Sequence, residues 1–251
     1  MNVVRAEWTK LRTSPGTLGL LLAVIGTTAA VSALVANAVT CSATGPCTLD
    51  PVRVSLTGVQ LGQSVVAVVA VLAIGHEYGT GMVRTTFTAM PRRFAVLLAK
   101  AAVLSAVILA AGAVAVAAAL GAGRLLLTDR APVWSLVDSS TLRAAGGSVL
   151  YLALIGVLSL GIGALARSSA AAIGAVLGLL YVFPILVEAA SDPAWRRHLT
   201  QIGPTTAGLS VQATTGLDIL VIGPWAGLGV LAAWAAGALL LGGAVLARRD
   251  A

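Results

Sequence analysis

Six long apolar stretches run the length of this 251-residue chain, separated by short polar segments that hold nearly every charge. They extend from Leu18 to Val39, Ser55 to Gly75, Phe94 to Ala119, Ala144 to Ala166, Ser168 to Val187 and Ile222 to Ala247. Each reaches the roughly 20 residues that cross a hydrocarbon core of about 30 Å at 1.5 Å per residue. Inside a bilayer no water satisfies an unpaired backbone group, so such segments are helices. The pattern predicts an all-α integral membrane protein with six transmembrane helices, residues 1–251 forming one domain.

Composition agrees. The chain is 58% hydrophobic and 10% charged, whereas a soluble domain carries about 25% charged residues. The first apolar run is followed by no convincing small-residue cleavage site, so it reads as a retained span rather than a signal peptide.

Charge placement orients the spans, because basic residues near span ends stay in the cytoplasm. With the N-terminus inside, the inner segments hold Arg5, Lys10, Arg12, Arg84, Arg92, Arg93, Lys100, Arg167, Arg248 and Arg249 against Glu7, Glu77 and Asp250. The outer segments balance six basic residues (Arg53, Arg124, Arg130, Arg143, Arg196 and Arg197) with six acidic ones (Asp50, Asp129, Asp138, Glu188, Asp192 and Asp218). The whole net charge of +7 thus falls on one side. Both termini are expected in the cytoplasm of a multi-pass cell-membrane protein. The basic residues flank spans and form no stripe interleaved with aromatics, so the high charge does not indicate nucleic-acid binding.

Trp134, Trp195 and Trp225 fall at expected outer ends, where amphipathic rings favour the headgroup layer. Trp234, inside the last span, reads as ordinary packing. The two cysteines, Cys41 and Cys47, share the first outer loop. An oxidising exterior and the turn at Gly45-Pro46 permit a disulfide, with two free thiols as the alternative. No histidine joins them, which argues against a metal site.

Several chemistries lack their residues. No acidic group lies near the centre of a span, which weakens a proton- or sodium-coupled pump. Glu188 sits at an outer end and Lys100 just inside the third span, where both can snorkel to the interface. His76-Glu77 has no second histidine at zinc-protease spacing. Ser159 has no histidine at its depth to activate it and reads as a small residue at a helix contact. Gly174 and Gly178 have the small-xxx-small spacing of close helix contacts.

Two amphipathic elements lie on the cytoplasmic side. In residues 1–15, Val4, Trp8 and Leu11 form an apolar stripe beside Arg5, Thr9 and Arg12, and Glu7 and Lys10 add charge. This is the pattern of a helix lying in the interface plane against anionic lipid. Ser14 and Pro15 suit the N-cap and first turn of the following span. The longest inner loop, 76–93, reads HEYGTGMVRTTFTAMPRR. Glu77 and Arg84 share one helical face, and Pro91 would stop a short helix before span three.

That loop resembles the corresponding loop of permease subunits of type-2 ATP-binding-cassette transporters, especially the actinobacterial kind. The similarity is carried by Glu77, Tyr78, Gly81, Arg84, Thr85, Thr86, Pro91, Arg92, Arg93 and Lys100. The segment Glu7-Trp8-Thr9-Lys10-Leu11-Arg12-Thr13 is likewise similar to that family's leading interfacial helix. The resemblance implies six spans, a short coupling helix docking on ATPase subunits, and a partly re-entrant outer segment between spans five and six, here residues 189–221. Neither Lys10 nor Lys100 ends a phosphate-binding Gly-x-x-x-x-Gly-Lys-Ser/Thr loop, so ATP and Mg would be held by a separate partner. The expected assembly is an exporter of two permease copies, identical or similar, with two ATPase subunits. Gln60, Gln63 and Ser64 of span two are candidates to line a path for hydrophobic or amphipathic cargo, and interhelical hydrogen bonding is their alternative role. Competing functions are an ion-gradient-driven secondary transporter and a membrane anchor or scaffold that moves nothing.

Overall fold

The computed structural model describes residues 8–9, 15–39, 49–79, 93–127, 132, 134–166 and 168–249. Within them the chain is a helical bundle. Helices α1 (Pro15–Ala38), α2 (Pro51–Ser55), α3 (Val59–Gly79), α4 (Arg93–Leu126) and α5 (Ser139–Leu165) come first. Helix α6 (Ser169–Leu177) passes through a wide π turn, Gly178–Val182, into α7 (Phe183–Glu188). Helices α8 (Pro193–Ile202) and α9 (Pro204–Gly208) precede α10 (Pro224–Arg249).

Five continuous helical stretches among the described residues are long and apolar enough to cross a membrane. They are Gly16–Ala38, Phe94–Leu126, Ser139–Leu165, Ser169–Glu188 and Pro224–Arg248. The second apolar stretch forms a shorter apolar run, Val59–Gly75, inside the 21-residue α3. The ends follow local chemistry. Five helices begin on proline (Pro15, Pro51, Pro193, Pro204 and Pro224), where the missing N–H costs nothing. Asp50, Ser168 and Asp192 cap the helices they precede. Helix α4 outruns its expected end at Ala119 by two turns, because Leu120-Gly-Ala-Gly-Arg-Leu-Leu contains no proline to stop it.

Helix α5 is the hub. Two thirds of its apolar window (67%) is buried, against 17% for α1 at the periphery. Around Tyr151, Leu152, Ile155 and Leu158 pack Leu104 and Ile108 of α4, Val66 and Val69 of α3, and Leu231 of α10. Apolar side chains gain little by leaving lipid for one another, so close backbone approach supplies much of the attraction. One close crossing joins α5 and α10. A Cβ on Gly161 would stand 2.5 Å from the carbonyl carbon of Ala238, and one on Gly242 would stand 2.7 Å from the carbonyl oxygen of Gly161. Gly174 and Gly178, by contrast, have no atom within 4 Å of such a Cβ. Among the described residues, their spacing therefore marks an open face of the continuous helix Ser169–Glu188 rather than a contact.

The bundle has two distinct ends. At one, Ser169 meets Gly75 and Phe94 meets Gly243. The last turn of α3 and the first turn of α4 belong to this proximal end. At the other, distal end, Ser55 meets Gly123, and the segments 49–58, 132–143 and 189–223 come together. Ser159 is buried and bonds back to the Ile155 carbonyl at 2.7 Å, the packing role expected of it.

Candidate functional site

The segment between α8 and α10 turns inward. From Pro204 it forms α9 and a 3-10 turn, Leu209–Gln212, and Pro204, Thr205, Ala207, Gly208, Val211 and Gln212 are all buried. It lies against α5 and α10, where small residues make room. A Cβ on Gly227 of α10 would fall 2.0 Å from the Ala207 carbonyl oxygen, and one on Gly208 would fall 2.7 Å from the Tyr151 ring.

Buried polar groups on this segment need partners, and each finds one on a long helix. The Gln212 amide donates to Ser148 Oγ of α5 at 3.2 Å. Thr205 Oγ1 donates to the Leu180 carbonyl at 3.2 Å. That carbonyl is available because of Pro184, which has no N–H and whose ring crowds the carbonyl four residues back. The chain responds with the π turn, in which the Phe183 N–H reaches back five residues to Gly178. A π turn set inside an α-helix is a frequent mark of a functional position.

Two tyrosines extend the network to α3. Tyr151 of α5, fully buried, donates its hydroxyl to Gln63 Oε1. Tyr181 of the π turn donates to the Gln60 backbone carbonyl. Of the three candidate path residues, Gln63 is therefore buried in an interhelical hydrogen bond, the alternative its sequence allowed. Gln60 is exposed and Ser64 half-buried. The network thus ties α3, α5, the bent α6–α7 helix and the inserted segment into one unit.

The far end of the inserted segment is latched. Asp50 accepts from Thr214 N at 2.6 Å, Thr214 Oγ1 at 2.7 Å and Thr215 N at 3.1 Å, while also accepting from Arg53 N at 3.0 Å as the cap of α2. Arg143 Nη2 of α5 donates to the neighbouring Ala213 carbonyl at 2.6 Å. Charged hydrogen bonds are roughly twice as strong as neutral ones. Asp50 lines a cleft of about 580 Å³ with Arg53 and Ile219, and Leu49 and Thr215 also line a second cleft of about 330 Å³ beside Trp134 and Thr141. Replacing Asp50 with alanine removes four acceptor contacts, for a cost of about 1–3 kcal/mol. The expected result is faster amide exchange at residues 213–215 with the bundle still folded. Unchanged exchange there would show that the latch carries no load.

The structure amends several sequence expectations. Trp134 does not face the membrane interface. It is 9% exposed, with the Arg124 guanidinium 5.9 Å from its ring centre, because Arg124 also donates to the Trp134 carbonyl and draws it inward. Trp195 and Trp225 are exposed as expected, at 63% and 60%. Trp234 does more than pack, since its indole N–H donates to the Ile202 carbonyl at 2.8 Å. Lys100 does not snorkel. It is buried and donates to the Ala73 carbonyl of α3 at 3.3 Å, and hydrogen bonding makes that burial tolerable.

Among the loop residues singled out, Glu77 and Tyr78 belong to the last turn of α3 rather than to a separate helix, since no proline stops α3 before Gly79. Arg93 opens α4. Gly81, Arg84, Thr85, Thr86, Pro91 and Arg92 lie outside the described residues. So do Arg5, Glu7, Lys10 and Arg12 of the leading segment, where Trp8 is helical and exposed, and so do Cys41 and Cys47. Among the described residues no group of three histidine, cysteine or acidic side chains converges as a metal site. No protein-family model and no curated protein matches the chain.

Proposed function

We propose that this chain is the membrane-spanning permease of an exporter driven by separate ATPase subunits. Two copies, or this chain and a similar one, frame the path, and two ATPases bind from the cytoplasm. Helices α1, α3, α4, α5, α6–α7 and α10 are its six spans. The proximal end faces the cytoplasm with both termini, the distal end faces outward, and the inserted segment is the re-entrant element.

The observation that carries this reading is the loop between α3 and α4, whose Glu77-Tyr78, Arg84-Thr85-Thr86 and Pro91-Arg92-Arg93 have the pattern of a coupling element. Its footing supports the role. A handle transmits force only if its ends are fixed to the parts it moves, and the bond from Lys100 to the Ala73 carbonyl ties α4 to α3 close to the loop. From α3, Gln63 and Gln60 connect to Tyr151 and Tyr181, and the π turn connects to Thr205. Tilting α3 from below therefore pulls on the inserted segment above. Breaking the Asp50 latch would free residues 214–215 at the outer end. Gln60 and Ser64, away from the Tyr151 contact, are the residues left to line the path.

Inside-out vesicles containing the permease and its ATPases should accumulate an amphipathic dye only when ATP is added, and an uncoupler should leave the rate unchanged. Accumulation driven by an imposed proton or sodium gradient without ATP would assign the chain to secondary transport. Complex formation without accumulation of any tested cargo would make it a scaffold.

A further inference from the structure

Helix α8 is unlike every other helix of comparable length in the bundle, because none of its ten residues is buried. Trp195, Leu199 and Ile202 recur at i, i+4 and i+7 and so share one face, flanked by His198, while Arg196, Arg197, Thr200 and Gln201 occupy the rest of the circumference. The apolar face is open: Trp195 is 63% exposed and Ile202 53%. The helix is secured at its ends. Arg196 folds back to the Ala190 carbonyl at 3.2 Å, Asp192 caps the Ala194 N–H at 2.8 Å, and Trp234 of α10 holds the Ile202 carbonyl.

Its neighbours say what covers that face. Just before α8 the chain leaves a membrane-length helix whose last turns expose Ile185 (66%) and Leu186 (63%). Just after it Pro204 turns into the bundle, and α10 starts at the same end with Trp225, 60% exposed. Along the chain, the apolar stripe of α8 thus lies between the exposed apolar ends of two membrane-length helices. Indole rings at such a boundary favour the headgroup layer. Arg197, exposed on the arc opposite the stripe, stands among the headgroups when the stripe is in the acyl chains.

We propose that α8 is a lipid-binding helix, lying in the plane of the distal leaflet with Trp195 and Ile202 in the acyl region and Arg197 attracting the phosphates of anionic phospholipids. The inference needs only that the bundle spans a membrane; it holds whether or not the chain is an exporter. Because α8 is linked through Ile202 and Pro204 to the inserted segment, lipid headgroup charge becomes an input to that segment's position.

The test uses the full chain in liposomes containing phosphatidylglycerol or phosphatidylcholine with brominated acyl chains, at equal mole fraction. The emission of Trp195 is taken as the difference between the wild type and Trp195→Phe. Expected is quenching by chains brominated near the glycerol, roughly two- to fivefold stronger with phosphatidylglycerol at low salt. Arg197→Gln, which leaves the Arg196 tether intact, should remove the excess while leaving the quenching by phosphatidylcholine. Equal quenching by the two lipids in the wild type would overturn the charge preference. Quenching by aqueous acrylamide alone would place the helix in water, and protection from both quenchers would place a protein partner over it. Either result would overturn the proposal.

Discussion

Gly161→Val prevents the bundle from assembling, because the valine side chain must occupy space already filled by the backbone of α10. The nearest atoms are the Ala238 carbonyl carbon at 2.5 Å and the Leu239 nitrogen at 2.7 Å. No rotamer relieves a clash with a neighbouring main chain, so α10 must move away from α5. The displacement strips Leu231 and Ala235 from the core and strains the contacts of α10 with Ala207 and Ile202. Overpacking alone costs about 1–3 kcal/mol, and here the lost helix contact adds to it, since close packing is a main source of helix association in lipid. The folded, monodisperse species in detergent should disappear. Gly174→Val is the control, because no described residue outside its own stretch of helix stands within 4 Å of a Cβ there. A Gly161→Val protein as monodisperse as that control would refute the packing described for α5 and α10.

Glu77→Ala and Arg84→Ala should each abolish coupling while leaving membrane insertion intact. The proposed role of these charges is to pair with groups on the ATPase in a docking cleft. Truncating one member of a buried, hydrogen-bonded charge pair costs about 2–5 kcal/mol, mostly by leaving its partner unpaired. That corresponds to at least roughly a thirtyfold loss of binding. The measurement is co-purification of the ATPase with the permease, together with permease-stimulated ATP hydrolysis. Full stimulation in both variants would remove the coupling role from the loop.

The membrane-length helices were legible in the sequence, because runs of twenty apolar residues admit only one backbone solution in lipid. The helix start at Pro15 was legible because proline suits a first turn, where its missing N–H costs nothing. What the sequence hid were interactions between distant residues. Asp50 reads as one more charge in an outer loop until the fold brings Thr214 to it. Trp134 looks like an interfacial ring and is instead drawn inside by Arg124. Thr205 gave no sign of a role, although Pro184 did contain a clue: a proline within an apolar helix frees the carbonyl four residues earlier, here Leu180, and a buried donor is then required. Gln63 admitted two roles in sequence, and only its position facing Tyr151 identifies its partner. A partly re-entrant segment over 189–221 was expected only from the family resemblance, and the side chains that hold the turn at Pro204 gave no sign of it in the sequence.

The coupling role requires residues 80–92 to reside on the cytoplasmic side of the membrane. A cysteine placed at Thr88, with Cys41 and Cys47 replaced by serine, can be titrated with a membrane-impermeant maleimide in intact cells and after permeabilisation. The cytoplasmic-handle account predicts no labelling until the membrane is opened, and full labelling afterwards. Labelling in intact cells would put the loop outside, beyond the reach of any ATP-driven partner, and would contradict the proposal.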